Sequence, residues 1–141
     1  MIEQNVNKKP RGIRNNNPGN IKRGEPWKGL KKDGESIDPV FCVFDTPEWG
    51  IRALAKILKS YQKIHGLNTP RKIISRYAPP CENQTLSYIQ SVAQQLGIYP
   101  DCEVDLNNDA TLIIFLKAII RHENGIQPYS TETLIKGIQL R

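Results

Sequence analysis

The chain has 141 residues, a formal net charge of +6 and ordinary shares of apolar and charged side chains, enough for one domain with a real core. No run approaches the ~20 apolar residues of a membrane-spanning helix, and the opening MIEQNVNKKP lacks the apolar stretch of a secretory signal. These features speak against an integral membrane protein and for a globule synthesised in the cytoplasm without a signal peptide.

The positive excess lies wholly in the first 34 residues, where Lys8, Lys9, Arg11, Arg14, Lys22, Arg23, Lys28, Lys31 and Lys32 face Glu3, Glu25 and Asp33. Such a patch suits a polyanion, whether nucleic acid, an anionic lipid surface or bacterial cell wall; it equally makes a solvated, solubilising face. Cys42, Cys81 and Cys102 are odd in number and widely spaced, which predicts reduced thiols rather than a disulfide framework or a zinc site.

Taken in order, residues 1–10 are polar and basic without periodicity and predict a flexible arm, leaving residues 11–141 as a single domain. The segment Arg11-Gly12-Ile13-Arg14-Asn15-Asn16-Asn17-Pro18-Gly19-Asn20 carries strong turn chemistry, because asparagine bonds to nearby backbone and glycine permits positive φ. Each asparagine amide also pairs a donor with an acceptor, which suits sugar hydroxyls and acetamido groups; the same groups could merely close the loop. From Trp27 to Phe44, an Asp33-Gly34 pair followed by Val40-Phe41-Cys42-Val43-Phe44 predicts two to three short strands. Trp27 either stacks on a sugar face or forms the miniature core of that lobe.

Helices follow. Thr46-Pro47-Glu48 opens one to about Ile64, with Ile51, Leu54, Ala55, Leu58 and Tyr61 on one face and His65-Gly66 as its stop. Thr69-Pro70 opens a short one through Ile73, Ile74 and Tyr77 that Pro79 and Pro80 end. Asn83 or Gln84 opens a third, with Leu86, Ile89, Val92, Ala93 and Leu96 inward and Gly97 closing it. Ser130-Thr131-Glu132 caps a last helix carrying Leu134, Ile135 and Ile138.

The helix capped by Asn107-Asn108-Asp109 is different. From Leu112 to Ile120 every residue but Lys117 is apolar, so other helices must wrap it. It ends in Arg121-His122-Glu123 before Asn124-Gly125, a left-handed stop. A carboxylate at the end of a buried helix has one wet side, and desolvation moves its pKa toward the range a general acid needs. Glu123 is thus the candidate for chemistry, or else an exposed residue of a fraying turn paired with Arg121 or Lys117. His65 and His122 lie on separate helices without clustered Cys or Asp, so neither a metal nor another cofactor is expected.

Three resemblances extend this reading. Ala118-Ile119-Ile120-Arg121-His122-Glu123-Asn124-Gly125-Ile126-Gln127-Pro128 resembles the A-L-I-x-x-E-S-G-F-x-P signature of lytic transglycosylases and goose-type lysozymes, with Asn124 in place of the serine and Ile126 in place of the aromatic. Asn16-Asn17-Pro18-Gly19-Asn20-Ile21-Lys22-Arg23-Gly24, with Trp27-Lys28-Gly29 after it, is similar to the N-N-x-F-G-I-K-G segment of autolysin glucosaminidases. Phe41-Cys42-Val43-Phe44 stands where that family enters a helix through F-x-x-F. Tyr77-Ala78 and Thr85-Leu86-Ser87-Tyr88 resemble its Y-A-T-D-x-x-Y, whose tyrosine lies in the cleft. In those enzymes the glutamate helix comes first, so the order here resembles a circular permutation. The stretch RGIRNNNPGNI, with Trp27, Phe44, Gly50 and Ala78-Pro79-Pro80-Cys81-Glu82-Asn83, resembles small phage and prophage virion proteins over about residues 11–138.

Together these resemblances imply a lysozyme-like fold, mainly α with a small β lobe, and a glycosidase that cuts the glycan strands of peptidoglycan. Glu123 would be the general acid, with Asn15, Asn16, Asn17, Asn20, Trp27, Tyr88 and His122 binding substrate. Other virion or secretion-apparatus proteins are further partners, nucleic acid is not expected, and the protein would act on the wall after release, export or as part of a virion. The rival is a non-catalytic virion structural protein that grips nucleic acid or wall through its basic N-terminal third.

Overall fold

The structure, a computed structural model, describes residues 9–78 and 82–141. The expected arm through residue 8, the helix-ending prolines Pro79 and Pro80, and Cys81 lie outside the described residues. The described chain is mainly helical, with six α-helices: α1 Arg11–Arg14, α2 Pro47–His65, α3 Pro70–Tyr77, α4 Glu82–Leu96, α5 Asp109–Asn124 and α6 Thr131–Gln139. None of these helices is long and apolar enough to cross a membrane.

The capping chemistry sets the boundaries. The side chains of Thr69, Asn108 and Ser130 accept from the amides of Lys72, Thr111 and Thr133, satisfying amides that have no partner inside the helix. Thr46 precedes Pro47 in extended backbone without such a bond. Gly66, Gly97 and Gly125 follow α2, α4 and α5 at φ 64°, 71° and 76°, the left-handed turn that glycine adopts most easily.

Helix α5 is the centre. Leu112, Phe115, Leu116, Ala118, Ile119 and Ile120 are buried, and α1, α2, α4 and α6 all pack on it. The broadest helix contact joins α2 to α6, where Gly137 lets α6 lie directly on Ile51 and the Glu48 carbonyl. Each fully buried Leu, Ile or Phe contributes about 1.5–3 kcal/mol, so a helix apolar nearly all round anchors the others.

Two expectations are corrected. Among the described residues the segment from Trp27 to Phe44 has no strand, only the isolated bridges Lys22 with Phe41 and Leu30 with Phe44. Extended residues 40–45 are shared between two neighbours: Val40 O and Cys42 N bond Arg23 N and Ile21 O, while Val43 O and Asp45 N bond Lys31 N and Gly29 O. Pro39 has no N–H to extend either pairing, and Asp33, at φ 60°, leads into the 3-10 turn Gly34–Ser36 instead of a tight hairpin. The second correction is Leu86, expected inward but 42% exposed. Helix α4 is rotated so that Tyr88 points in beside Ile89, Val92 and Ala93.

A polar knot holds the N-terminal segment together. Asp38, 4% exposed, accepts from Arg11 Nε and Nη2 at 2.7 Å each, from Asn15 Nδ2 at 2.8 Å, and from the amides of Val40 and Phe41 at 3.0 Å. The forked Arg11 contact and these donors stabilise the carboxylate, holding its pKa far below the ordinary range.

Candidate functional site

Glu123 lies in the last turn of α5 with the fully buried Ile119 and Ile120 behind it, and its own side chain is half-buried. It faces a cleft of about 200 Å³ lined by Ala78, Gln84, Thr85, Tyr88, His122 and Glu123. The Tyr88 hydroxyl donates to Glu123 Oε2 at 3.3 Å, and Asn20 Nδ2 donates to Oε1 at 3.4 Å. The same amide lies 3.4 Å from the Glu123 carbonyl. These are long bonds, weak enough for an incoming hydroxyl to compete with them.

Burial, the largest influence, raises the Glu123 pKa, opposed by the Asn20 and Tyr88 bonds and by His122. The carbonyl end of α5 adds partial negative charge, which also disfavours the anion. The Tyr88 phenol is driven far above its ordinary range by burial and then by the neighbouring carboxylate, so it stays a neutral donor. His122 stacks on Tyr88 with ring centroids 3.7 Å apart and an interplanar angle of 21°, covering one wall of the cleft with a flat, solvent-facing surface.

The asparagine loop reaches Glu123 through Asn20, not through the Asn15-Asn16-Asn17 run. Asn15 is buried and its amide is bonded to Asp38. Asn17, 0% exposed, donates to the Ile21 and Cys42 carbonyls and accepts from the Ile21 amide. Asn16 sits at φ 53° and bonds the Phe44 and Asp45 carbonyls. Internal bonds thus engage the Nδ2 groups of all three, which build the loop that presents Asn20, itself at φ 51°. Trp27 packs against the core and lines a different hollow with Lys56.

The same question applies to the acidic residues of the N-terminal segment. Asp38 is tied into its knot, Glu35 stands 3.6 Å from Arg23, Asp33 precedes the 3-10 turn, and Glu25 borders the Trp27 hollow. Glu123 is the one carboxylate lining the cleft among the described residues.

No family model matches the chain. Over 142 aligned residues it is 41% identical to "Protein P5" of Pseudoalteromonas phage PM2, a match covering 99% of this chain and 86% of that protein. The chain belongs to the family of this phage protein.

In this member of the family, several contacts escaped the sequence reading. Asn124 Nδ2 bonds the Pro18 carbonyl at 2.8 Å and the Ile120 carbonyl at 2.9 Å, tying the end of α5 to the loop. Its oxygen and that of Asn20 are buried without partners and converge on Gly12, where a Cβ would collide with both. The Tyr77 hydroxyl donates to the Gly19 carbonyl. Gln84 and Thr85 join the cleft from the first turn of α4. The available signals were the Asn124 next to Glu123 and the glycine inside the one-turn helix Arg11–Arg14.

Proposed function

We propose that the protein is a peptidoglycan-degrading glycosidase with a lysozyme-like fold in permuted order, and that Glu123 is its general acid. The observation that carries the reading is a half-buried carboxylate at the end of the central helix, with a raised pKa, in a cleft with Tyr88 and Asn20 on its two oxygens. The resemblance to lytic transglycosylases and goose-type lysozymes attaches to this same glutamate. The phage relative supports a phage or prophage setting for this reading.

In the mechanism, protonated Glu123 donates to the glycosidic oxygen as the bond to the anomeric carbon breaks, and the leaving sugar departs as an alcohol. The positive charge at the anomeric carbon is met by the substrate's own acetamido oxygen or 6-hydroxyl, since the cleft supplies no second carboxylate among the described residues. Glu123, now a carboxylate, takes the proton of the attacking hydroxyl: the 6-hydroxyl gives an anhydro-sugar end, and water gives a reducing end. Tyr88 and Asn20 keep the carboxyl group oriented, and the His122–Tyr88 stack offers a sugar-sized platform.

The test is turbidity of purified sacculi incubated with wild type and with Glu123→Gln, followed by mass spectrometry of the released fragments. Loss of turbidity with the wild type alone, with anhydro or reducing glycan ends, supports the proposal. Intact walls with both proteins, or fragments cut in the peptide stems, would overturn it.

A further inference from the structure

A second surface is assembled by the fold from residues far apart in sequence. The exposed face of α2 carries Lys56, Lys59 and Lys63, which border a hollow of about 620 Å³. Lys56 is shared with two adjoining hollows, one reaching Trp27 and Lys28 and the other Lys22, Tyr61 and Arg76. The three hollows share Lys56 and together make a basic groove, with Trp27 and Tyr61 among its lining residues. Among the described residues none of its lysines, nor Arg76, takes part in an ion pair, and Glu25 is the carboxylate bordering it.

Two short stretches of chain link the groove to the cleft. Asn20, which touches Glu123, is followed directly by Ile21 and Lys22 of the groove, and Arg76 precedes Tyr77 and Ala78, the latter in the cleft wall. Tyr77 lies within electrostatic reach of both Glu123 and Tyr61. Lys28 is bonded to the Arg141 carbonyl, which leaves Lys22, Lys56, Lys59 and Lys63 for a polymer that extends from Glu123 onto this surface. The hydroxyl and acetamido groups of the sugars have no use for them, whereas peptide stems with several free carboxylates do; a bare strand keeps only the lactyl carboxylate of every second sugar, close to the ring. A phosphate strand continuing over Glu123 would bring anions against a carboxylate, which disfavours nucleic acid as the occupant.

We propose that this groove is a binding site for the carboxylate-bearing peptide stems of uncleaved peptidoglycan, so that the protein prefers peptide-substituted glycan over bare glycan. The inference rests on the wall-degrading reading above, but its test does not depend on catalysis. In the full chain carrying Glu123→Gln, affinity is measured for soluble peptide-bearing glycan fragments and for neutral N-acetylglucosamine oligomers of the same length, at low and physiological salt. The expected result is tighter, salt-sensitive binding of the peptide-bearing fragments, with the combined Lys56→Glu, Lys59→Glu and Lys63→Glu changes weakening it on the order of tenfold or more. Binding of the neutral oligomers should barely move. The pair Lys22→Glu and Arg76→Glu, on the opposite wall, provides a second variant should the first fail to fold. Equal affinity for both fragments, or no loss in either variant, would overturn the proposal, as would a short DNA duplex that binds more tightly through the same lysines. Peptide-selective binding by a wild type that cleaves nothing would uphold the groove while removing the acid role of Glu123.

Discussion

Replacing Glu123 by glutamine keeps its shape and removes its ability to protonate a leaving group, which separates chemistry from packing. Lytic activity should vanish while unfolding free energy changes by about 1 kcal/mol or less, measured by urea denaturation beside the turbidity assay. Burial raises the pKa of Glu123, so the folded state holds the proton more tightly than the unfolded chain. Its contribution to stability is therefore full at low pH and lost as pH rises through the folded pKa. Near neutrality Glu123→Gln should not destabilise, and a large loss would mark a structural role. Asp38 has the opposite sign. Its folded pKa is depressed, chiefly by Arg11, so the stability it gives is present above the unfolded value near ~3.9 and lost below it. Asp38→Asn should cost about 2–4 kcal/mol at pH 7 and distinctly less at pH 3, read from urea midpoints at the two pH values. An equal cost at both would exclude the ionic knot as its source.

At the scale of elements, the crossing of α2 and α6 offers a test of sign. Alanine in place of a glycine in an exposed helix interior gains about 1 kcal/mol. Gly137 instead lies against Ile51 and the Glu48 carbonyl, where an added methyl overpacks and should cost about 1–3 kcal/mol. Thermal melts of Gly137→Ala decide the matter, and a rise in midpoint would contradict this packing. Helix ends were readable because their signals are local: Thr69, Asn108 and Ser130 each bond an amide three residues on. The Trp27–Phe44 strands were not, because whether Val40–Phe44 becomes part of a ladder depends on how long two distant neighbours run alongside it. Nor was the rotation of α4, since a stripe through Leu86 and one through Tyr88 share Ile89, Val92, Ala93 and Leu96. Contact with Glu123 and His122 selects the second stripe.

For the whole molecule, Glu123 and Tyr88 were legible as a pair although 35 residues separate them, the first from its place at the end of an apolar helix and the second from a motif. The asparagine run was legible as a loop, but not which of its amides faces Glu123, because turn-forming amides and sugar-binding amides have the same composition and differ only in where the chain points them. The end of α5 packs on Arg11–Arg14 and bonds the Pro18 carbonyl, and the Arg141 carbonyl is held by Lys28 and Arg52. The central claim is that a protonated Glu123 in this cleft breaks the glycosidic bond, and the most direct measurement is the pH dependence of kcat/KM on a soluble peptidoglycan fragment. The account predicts a rate that falls about tenfold per pH unit above a single midpoint lying higher than the ordinary glutamate value of ~4.3, with no activity at any pH in Glu123→Gln. A rate that rises from pH 4 to pH 8, or an unchanged profile in Glu123→Gln, would contradict it.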